Sequence, residues 1–378
     1  MRKTILSKFD DFPIQQTSEP ISYLATSDRN AYGRYWFNGY DPDGEFYFGV
    51  AFAVYPHREV MDCALSIVRK DGTQDSFRAS RRMRGDRTDL RVGPMRLEIS
   101  EPMRTVRVTI DKNSTGITAD LTFHGTTPVH AEPLDHMRDH LRTVMQTTRY
   151  TQFGMWGGHI TVGDRRQDVD ASKVQGVRDR SWGFRQIGEQ EQGIAPMIPE
   201  QVFWLWAPIT WKDRCTHYGL FEYADGVRWK EFAQIFPRYG KDSGFDTLSD
   251  EGFVDIRPGE HRVTFEPGTR FLSGGEIDLI EKDGKKTTLK METILRFHMT
   301  GIGYNHPTWG HGMYKGEEEI TSEHWNVNEI DKLSVQFQHI QNVVRVTNGD
   351  EVGHGVLEQA IFGPHDRYPL KGWIDPVA

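Results

Sequence analysis

The sequence has only two cysteines, Cys63 and Cys215, in 378 residues. Two cysteines this far apart do not form a disulfide framework, so we expect a protein of the reducing cytoplasm. No apolar run reaches the roughly 18 residues that a membrane-spanning helix needs. The N-terminal stretch MRKTILSKFDDFP is charged and has no apolar core of signal-peptide length. The sequence therefore predicts neither a transmembrane segment nor export.

Positive charge and cofactor motifs are also scarce. Lysine and arginine together number 46, against 54 aspartate and glutamate residues, which gives a formal net charge of -8. Because phosphate binding requires a basic surface, this balance argues against a nucleic-acid partner. The sequence contains no Walker A loop, no dinucleotide-binding glycine pattern after a strand and no nucleophile elbow. It therefore supports neither a redox cofactor nor an acyl-serine mechanism, and we expect no cofactor.

Most of the patterned segments of the sequence alternate between two kinds of side chain with a period of two residues. In FYFGVAFAVY (Phe46–Tyr55), phenylalanines and valines share one face, while tyrosines and small residues share the other. A strand with two apolar faces is buried on both sides. The small residues of the second face either leave room for a ligand or allow another element to pack closely, and the sequence leaves both open.

Turn sequences separate these runs, at 41–44 (DPDG), 70–72 (KDG), 224–226 (ADG) and 282–284 (KDG). Short strands at this spacing are typical of an antiparallel barrel or sandwich. We therefore predict an all-β protein of two lipocalin-like domains, residues 1–190 and 191–378, with few short helices. A polar segment with two glycines and two prolines, 187–200, is the predicted linker.

One segment has the period of a helix. In PLDHMRDHLRTVMQ (133–146), apolar residues recur close to every 3.6 residues, at Leu134, Met137, Leu141, Val144 and Met145. The pattern predicts a short helix that covers a sheet or plugs the end of a barrel.

The segment QGVRDRSWGFR (175–185) gathers arginines, a carboxylate and an indole without a helical or strand period. Asp179 lies between Arg178 and Arg180, and neighbouring cations stabilise an ionised carboxylate, as in a structural salt bridge. A general acid needs the opposite shift of its pKa, which burial beside Trp182 would supply. The segment is therefore either a structural clamp or part of a reaction site.

A glycine-rich segment precedes it. RYTQFGMWGGHITVG (149–163) sets Tyr150, Trp156 and His159 among four glycines. Glycines remove bulk, so that a ligand or a second backbone can approach, and His159 titrates near neutral pH, where it can exchange a proton. The alternative is a bulged strand with an ordinary hydrogen-bonded histidine.

Aromatic and histidine side chains recur in FHMTGIGYNHPTWGHGMYKGEEE (297–319), which includes Tyr304, His306 and Tyr314. No cysteine or well-spaced carboxylate completes a recognisable ligand set with these histidines, so we expect no metal site. A loop at the mouth of a cavity and a solvent-exposed loop both explain this composition.

Two tryptophans alternate in QVFWLWAPITW (201–211), where Trp204 and Trp206 share one strand face. Such a strand is typical of a core or of a domain interface. Aromatic rings in a dry pocket also stabilise a developing carbocation, by the attraction that cations feel over ring faces.

The block RYTQFGMWGGHITVGDRRQDVDASKVQGVRDRSWGFR (149–185) combines an aromatic-Gln-x-Gly strand, a glycine-rich turn and an Arg-Asp-x-Ser-Trp-Gly-x-Arg element. It resembles the two-domain lipocalin-like (calycin) superfamily, which includes carotenoid 1,2-hydratases, AttH-like proteins and certain Diels-Alderases. GHGVLEQAIFG (353–363) resembles the closing strand of the second domain. The resemblance implies an apolar cavity inside or between two β-barrel-like domains, chemistry without a redox cofactor, and a general acid at Asp179. One departure is Arg180, since relatives often carry histidine there.

From the residues and the resemblance, we expect an enzyme that acts on a hydrophobic, isoprenoid or polycyclic, small molecule by hydration, dehydration, isomerisation or cyclisation. Asp179 is the expected acid, or the anchor that orders the site, and His159 is the expected proton relay. The expected substrate-binding residues are Tyr150, Trp156, Arg178, Trp182, Trp204, Tyr304, His306 and Tyr314. A non-catalytic carrier or sensor of an apolar ligand is the alternative, and a carbohydrate-binding sandwich is a third. A homodimer is compatible with the sequence.

Overall fold

The computed structural model describes residues 11–12, 23–84, 86–188, 201–240 and 243–377. In these ranges the chain is built of antiparallel strands and contains no α-helix, so the predicted all-β class is confirmed. The helical turns there are short 3-10 helices, at Pro56–Arg58, Met299–Ile302 and Val335–Phe337. No helix among the described residues is long and apolar enough to span a bilayer.

The first half of the chain forms one large sheet. Its strands are β1 (Ala31–Tyr40), β2 (Phe46–Tyr55), β3 (Val60–Arg69), β4 (Thr73–Arg82), β5 (Arg91–Val92), β6 (Met95–Glu101), β7 (Thr105–Ile110), β8 (Ile117–Gly125), β9 (His130–Ala131), β10 (Asp135–Asp139), β11 (Arg142–Val162), β12 (Arg165–Val169) and β13 (Gln175–Arg185). They pair in the order β4-β3-β2-β1-β13-β11-β8-β7-β6-β5, with β9, β10 and β12 also paired to β11. The closing strand β13 thus lies in the middle of the sheet, between β1 and β11.

The second half forms a closed eight-stranded barrel. Its strands are β14 (Val202–Thr210), β15 (Arg214–Glu222), β16 (Arg228–Pro237), β17 (Val254–Phe265), β18 (Leu272–Ile280), β19 (Lys286–His298), β21 (His339–Asn348) and β22 (Glu351–Phe362). Strand β20 (Glu318–Asn326) leaves the barrel and pairs with β4 at the edge of the first sheet. The predicted linker lies mostly outside the described residues, and the division at residue 190 stays a prediction.

The predicted turns connect neighbouring strands of hairpins. The four turn sequences join β1 to β2, β3 to β4, β15 to β16 and β18 to β19. Strand β2 is buried along its whole length, as its two apolar faces predict. Its phenylalanine face lies in the core of the first sheet. On its other face a Cβ added at Gly49 would lie 3.2 Å from the ring of Phe297. At this position another sheet therefore packs closely, which is one of the two alternatives that the sequence left open.

The predicted helix at 133–146 is wrong. This segment is the β10–β11 hairpin, with a turn at His140, whose φ is 50°, and Leu141, which is exposed. Its C-terminal part extends β11 along β13, where Met145 lies opposite Arg185. Pairing with a strand that is distant in sequence has overridden the local apolar period, since strand formation depends on neighbouring strands more than helix formation does.

A third apolar cluster joins the sheet to the barrel, and we call it the interface cluster. The sheet contributes Trp36, Tyr40, Tyr47, Ala51, Ala64, Val68, Phe153 and Val177. The barrel and the 3-10 helix after β19 contribute Trp204, Trp206, Cys215, Phe232, Phe236, Phe297, Met299, Ile302, Val343, Val356, Ala360 and Phe362. Trp204 and Trp206 thus lie between the sheet and the barrel, which is one of the two positions that the sequence left open. The alternate residues of β14 face the barrel core.

Candidate functional site

The segment 175–185, which showed no strand period in the sequence, is the strand β13. Its alternation is hidden because both of its faces carry charged side chains. Arg178 and Arg180 lie on the outer face, away from the barrel, whereas Val177 belongs to the interface cluster. Asp179 lies on the same inner face as Val177, because side chains alternate along a strand. Each face of the segment therefore has to be considered separately.

The outer face is a structural clamp. Arg178 Nη1 lies 2.9 Å from Asp11 Oδ1, and Arg178 Nε donates to Gln152 Oε1 at 2.9 Å. The hydroxyl of Tyr150 donates to the same Asp11 oxygen at 2.8 Å. All four side chains are buried. The structure therefore places Tyr150 and Arg178, two of the expected substrate-binding residues, in a closed ion-pair network on the face opposite Asp179.

The inner face carries Asp179 toward the barrel. In register, its α-carbon lies between those of Trp36 on β1 and Thr151 on β11. Its Oδ2 lies 3.7 Å from Arg149 Nε, and the two side chains are 16% and 17% exposed. Burial raises the pKa of Asp179 to about 6, with Glu132 adding to the rise and Arg149 opposing it. The carboxyl is therefore shielded enough to keep its proton up to about pH 6 and open enough to meet a small molecule.

A buried charge network supports Arg149. Glu132 Oε2 lies 3.5 Å from Arg149 Nη1 and 3.7 Å from Lys230 Nζ. Its Oε1 accepts hydrogen bonds from Thr151 Oγ1 at 2.7 Å and Trp206 Nε1 at 3.3 Å. Burial alone would raise the pKa of Glu132, but Arg149 and Lys230 outweigh it and the pKa is lowered. Glu132 is thus held ionised at a lower pH than Asp179, so the two acids have different charge states at mildly acidic pH.

The barrel presents a second acidic group to the same region. Glu358 on β22 lies close enough to Asp179 to raise its pKa. Glu358 Oε1 lies 2.6 Å from His339 Nε2, and its Oε2 accepts from Gln341 Nε2 at 2.5 Å. Trp204 Nε1 also donates to Glu358, at 3.3 Å. The side chains of His339 and Glu358 are each 13% exposed.

These four partly exposed side chains, Asp179, Arg149, His339 and Glu358, lie where the sheet faces the barrel, and we call this region the cleft. An imidazole oriented by a carboxylate can receive a proton, and a carboxyl of raised pKa can deliver one. Trp204 of the interface cluster donates to Glu358, and Trp36 lies opposite Asp179 in register, so aromatic rings adjoin these side chains. The arrangement fits acid–base chemistry on an apolar molecule.

Of the other expected residues, Trp204 and Tyr304 lie at the cleft. Trp204 donates to Glu358 and stacks against Phe221, with ring centroids 4.1 Å apart. The ring of Tyr304 lies 4.5 Å from that of His339, edge to face. Trp182 is half-buried on the outer face of β13, where the guanidinium of Arg180 lies 5.6 Å from its ring.

His159 and Trp156 lie elsewhere on β11. His159 is half-buried opposite Asp168 and lies about 26 Å along the strand from Thr151, at roughly 3.3 Å per residue. The structure therefore does not bring His159 to Asp179. Trp156 is buried in the core of the first sheet, where its Nε1 donates to the carbonyl of Asn38 at 2.7 Å.

The two remaining residues lie on the loop after β19. His306 Nε2 lies 3.1 Å from both carboxylate oxygens of Glu323, which ties the loop to β20. Tyr314 is 56% exposed. No group of three or more metal-ligating side chains occurs in the part of the chain that the structure describes.

Sequence reasoning missed Arg149, Glu132, His339 and Glu358 as site residues. Arg149 and Glu358 lie within the two segments that carry the family resemblance, and Glu358 is the one carboxylate in the strand end VLEQAIF. A single carboxylate on a strand is usually typical of a face exposed to solvent. Glu358 can be recognised as a site residue only once it is known that the first sheet lies against this face of the barrel.

Several solved structures are similar to this chain. A putative AttH from Nitrosomonas europaea has 11% identity and a TM-score of 0.49 over 87% of this chain and 92% of that chain. Kievitone hydratase from Nectria haematococca has 12% identity and a TM-score of 0.47, over 87% and 89%. CghA with Sch210972 has 13% identity and a TM-score of 0.47, over 89% of each chain. The sequence resemblance named AttH-like proteins and hydratases, and both occur among these structures. No chemistry is transferred from them at this level of similarity.

The comparison with curated proteins found no match. The model of a family of unknown function, DUF8625, matches residues 6–371, which is nearly the whole chain. The chain therefore belongs to the DUF8625 family.

Proposed function

We propose that this chain is an enzyme without a redox cofactor that acts on a hydrophobic, isoprenoid or polycyclic, small molecule. The reaction is an acid-assisted hydration or dehydration, an isomerisation or a cyclisation, with Asp179 as the proton donor. The observation that carries the proposal is the raised pKa of Asp179, about 6, in a partly exposed position between an aromatic sheet face and the barrel. Groups with such shifts in a cleft are concentrated at reaction sites.

In a hydration, Asp179 transfers its proton to one carbon of a double bond, and the electron pair of that bond forms the new C–H bond. The other carbon becomes cationic, and the rings of Trp36 and Trp204 lower its energy. Water then adds to the cation, and His339, oriented by Glu358, takes the proton that the water loses. General acid catalysis of this kind contributes about a hundredfold to ten-thousandfold to the rate.

The position of the Trp36 indole supports the proposed reaction at Asp179. The indole lies beside Asp179 in register on β1, and its ring meets that of Trp206 edge to face, at 5.6 Å between centroids. Its Nε1 is buried and has no hydrogen-bond partner among the described residues. An unpartnered indole N–H next to the acid is available to a polar group of a substrate.

The proposal is tested by incubating the purified protein with a panel of terpenoid, steroid and polyene compounds and analysing the organic extract by mass spectrometry. We expect a product with the mass of one added or lost water, or an isomer with a new retention time. The product should be absent with the Asp179→Asn variant. A compound that binds stoichiometrically and is recovered unchanged by the unaltered protein would instead indicate the carrier. A product that persists with Asp179→Asn would remove Asp179 from the acid role.

A further inference from the structure

The guanidinium of Arg185, at the end of β13, has no ionic partner among the described residues. Its contacts in the described chain are with two rings, that of Tyr32 at 5.1 Å and that of Tyr304 at 5.9 Å. Its Nε is buried without a hydrogen-bond partner, and the side chain is half-buried. Arg34 and Arg149 both lie near enough to Arg185 to repel its charge. A half-buried cation with cationic neighbours is costly unless an anion joins it.

Several other arginines of this fold have carboxylate partners. Arg178 is paired with Asp11 at 2.9 Å, and Arg228 with Glu222 at 3.0 Å. Arg270 is paired with Asp375 and also donates to two backbone carbonyls, those of Gly363 and Gly372. Arg180 is buried without a carboxylate among the described residues, but its Nη1 donates to the backbone carbonyl of Ser181 at 2.6 Å. Arg185 has neither kind of partner in the described part of the chain.

Three other cations near Asp179 and Arg185 have acidic neighbours. Lys230 is paired with Asp135, and Arg149 has Glu132 and Asp179. Arg34 has Asp62 near enough to stabilise its charge. Arg185 has no carboxylate within salt-bridge distance among the described residues, so an anionic group of a ligand would supply the partner that it lacks.

The surroundings of Arg185 are arranged for a planar anion. Tyr304 has the guanidinium of Arg34 5.0 Å from its ring, in addition to that of Arg185. Guanidinium groups that pack on ring faces keep their N–H edges free, and those edges bind the two oxygens of a carboxylate side by side. The buried hydroxyl of Tyr32 has no hydrogen-bond partner among the described residues and adds a further donor.

We propose that Arg185, with Tyr32 and the neighbouring Arg34, binds a carboxylate group of an otherwise apolar substrate. The inference rests on the proposed function, in that the ligand is the substrate of the same cleft. Arg185 and Asp179 lie on the same face of β13, with α-carbons about 20 Å apart at roughly 3.3 Å per residue. The anchor and the acid therefore lie toward opposite ends of the bound molecule, and the substrate is an elongated carboxylic acid whose reacting double bond is remote from its carboxylate.

The test uses binding, so that it does not depend on turnover. Calorimetric titration compares 2-naphthoate with its neutral analogue 2-naphthamide. We expect the carboxylate to bind at least about tenfold more tightly than the amide. In Arg185→Gln the preference for the carboxylate should disappear. Arg185→Lys should keep part of the preference, because lysine retains the positive charge but lacks the paired N–H donors of the guanidinium. Since Arg185 loses only its contacts with two rings, and no salt bridge to a described residue, both variants should fold.

Two further variants separate this inference from the proposed function. Arg138→Gln removes the same charge from an exposed position on β10 and should leave the preference unchanged. Asp179→Asn should abolish turnover but keep the carboxylate preference. Three results would overturn the carboxylate assignment. They are equal affinities for naphthoate and naphthamide, no binding of naphthoate at millimolar concentration, or a preference that survives in Arg185→Gln.

Discussion

Asp179 Oδ2 lies 3.7 Å from Arg149 Nε, which is too far for a hydrogen bond. The neighbouring residue of the same strand, Arg178, lies 2.9 Å from its partner Asp11. The difference in distance separates two kinds of arginine–carboxylate pair. In the close pair, direct contact stabilises both charges and the pair acts as a clamp. In the loose pair, burial outweighs the attraction, and the pKa of Asp179 rises from 3.8 to about 6. That rise corresponds to a penalty of roughly 3 kcal/mol for the ionised form.

The first prediction concerns the stability of Asp179→Asn. The folded state holds the Asp179 proton more tightly than the unfolded state does, so this carboxyl destabilises the fold increasingly as the pH rises from about 4 through about 6. The neutral amide avoids this penalty. We expect the variant to be more stable than the unaltered protein by about 3 kcal/mol at pH above about 7, and equal to it below pH of about 4. Thermal unfolding at several pH values measures the difference.

Asp278→Asn is the matched control for that experiment. Asp278 is also buried, but Arg262 holds it by hydrogen bonds at 2.9 and 3.0 Å, and these keep its pKa lowered. Its replacement should therefore destabilise the barrel at neutral pH, which is the opposite sign. If Asp179→Asn also destabilised the protein at high pH, Asp179 would be a clamp residue.

The second prediction concerns the pH dependence of turnover. An acid must be protonated to act, so kcat/KM should fall as the pH rises through about 6. The charge of Glu358 contributes to the raised pKa of Asp179, and its removal should lower that pKa. We therefore expect the falling limb of the profile to move to lower pH in Glu358→Gln. A profile whose falling limb stayed in place, or moved upward, would contradict the assignment of that limb to Asp179.

The third prediction concerns the clamp. In Arg178→Met the carboxylate of Asp11 remains buried without its cation, so the free energy of unfolding should fall by about 3–5 kcal/mol. The exposed pair of Arg165 and Asp71, at 2.7 Å, provides the comparison, and Arg165→Met should cost less than about 1 kcal/mol. Denaturant titration measures both values, and similar losses in the two variants would refute the clamp.

The fourth prediction concerns Gly183, where β13 passes close to β11. Its φ is 129°, and a Cβ added there would lie 2.1 Å from the carbonyl oxygen of Gln146. Gly183→Ala should therefore cost at least about 3 kcal/mol, from strain and from lost strand pairing. Gly163 has a φ of 57° with no atom within 4 Å of the added Cβ. Gly163→Ala should cost only about 1 kcal/mol, so equal losses on thermal unfolding would show that contact with Gln146 is unimportant.

Much of the fold follows from local sequence. The four turn sequences define hairpins, and the alternation of β14 places Trp204 and Trp206 on the interface side. The pairing of β20 with β4 could not be predicted, because neither strand carries a local signal for a partner in the other half of the chain. The β10–β11 hairpin was missed for a related reason, since its apolar residues satisfy a helical period that tertiary pairing overrides.

Less of the site could be predicted. Asp179 was identified because it stands in a segment of unusual composition, but its surroundings come from other strands. Its raised pKa depends on burial by the barrel, and its cation Arg149 lies on β11. His339 and Glu358 meet only because β21 and β22 are paired. Charged residues that interact across the contact between the sheet and the barrel are far apart in the sequence, so no spacing pattern identifies them.

The most direct test of the account is the pKa of Asp179 itself. Infrared difference spectra of the unaltered protein and Asp179→Asn, recorded across the pH range, isolate the C=O stretch of this one protonated carboxyl. The account predicts a carboxylic acid band that is present below and lost above a midpoint of about pH 6. A band already lost near pH 4, the ordinary range for aspartate, would mean that the pKa of Asp179 is not raised, which would contradict its assignment as the acid.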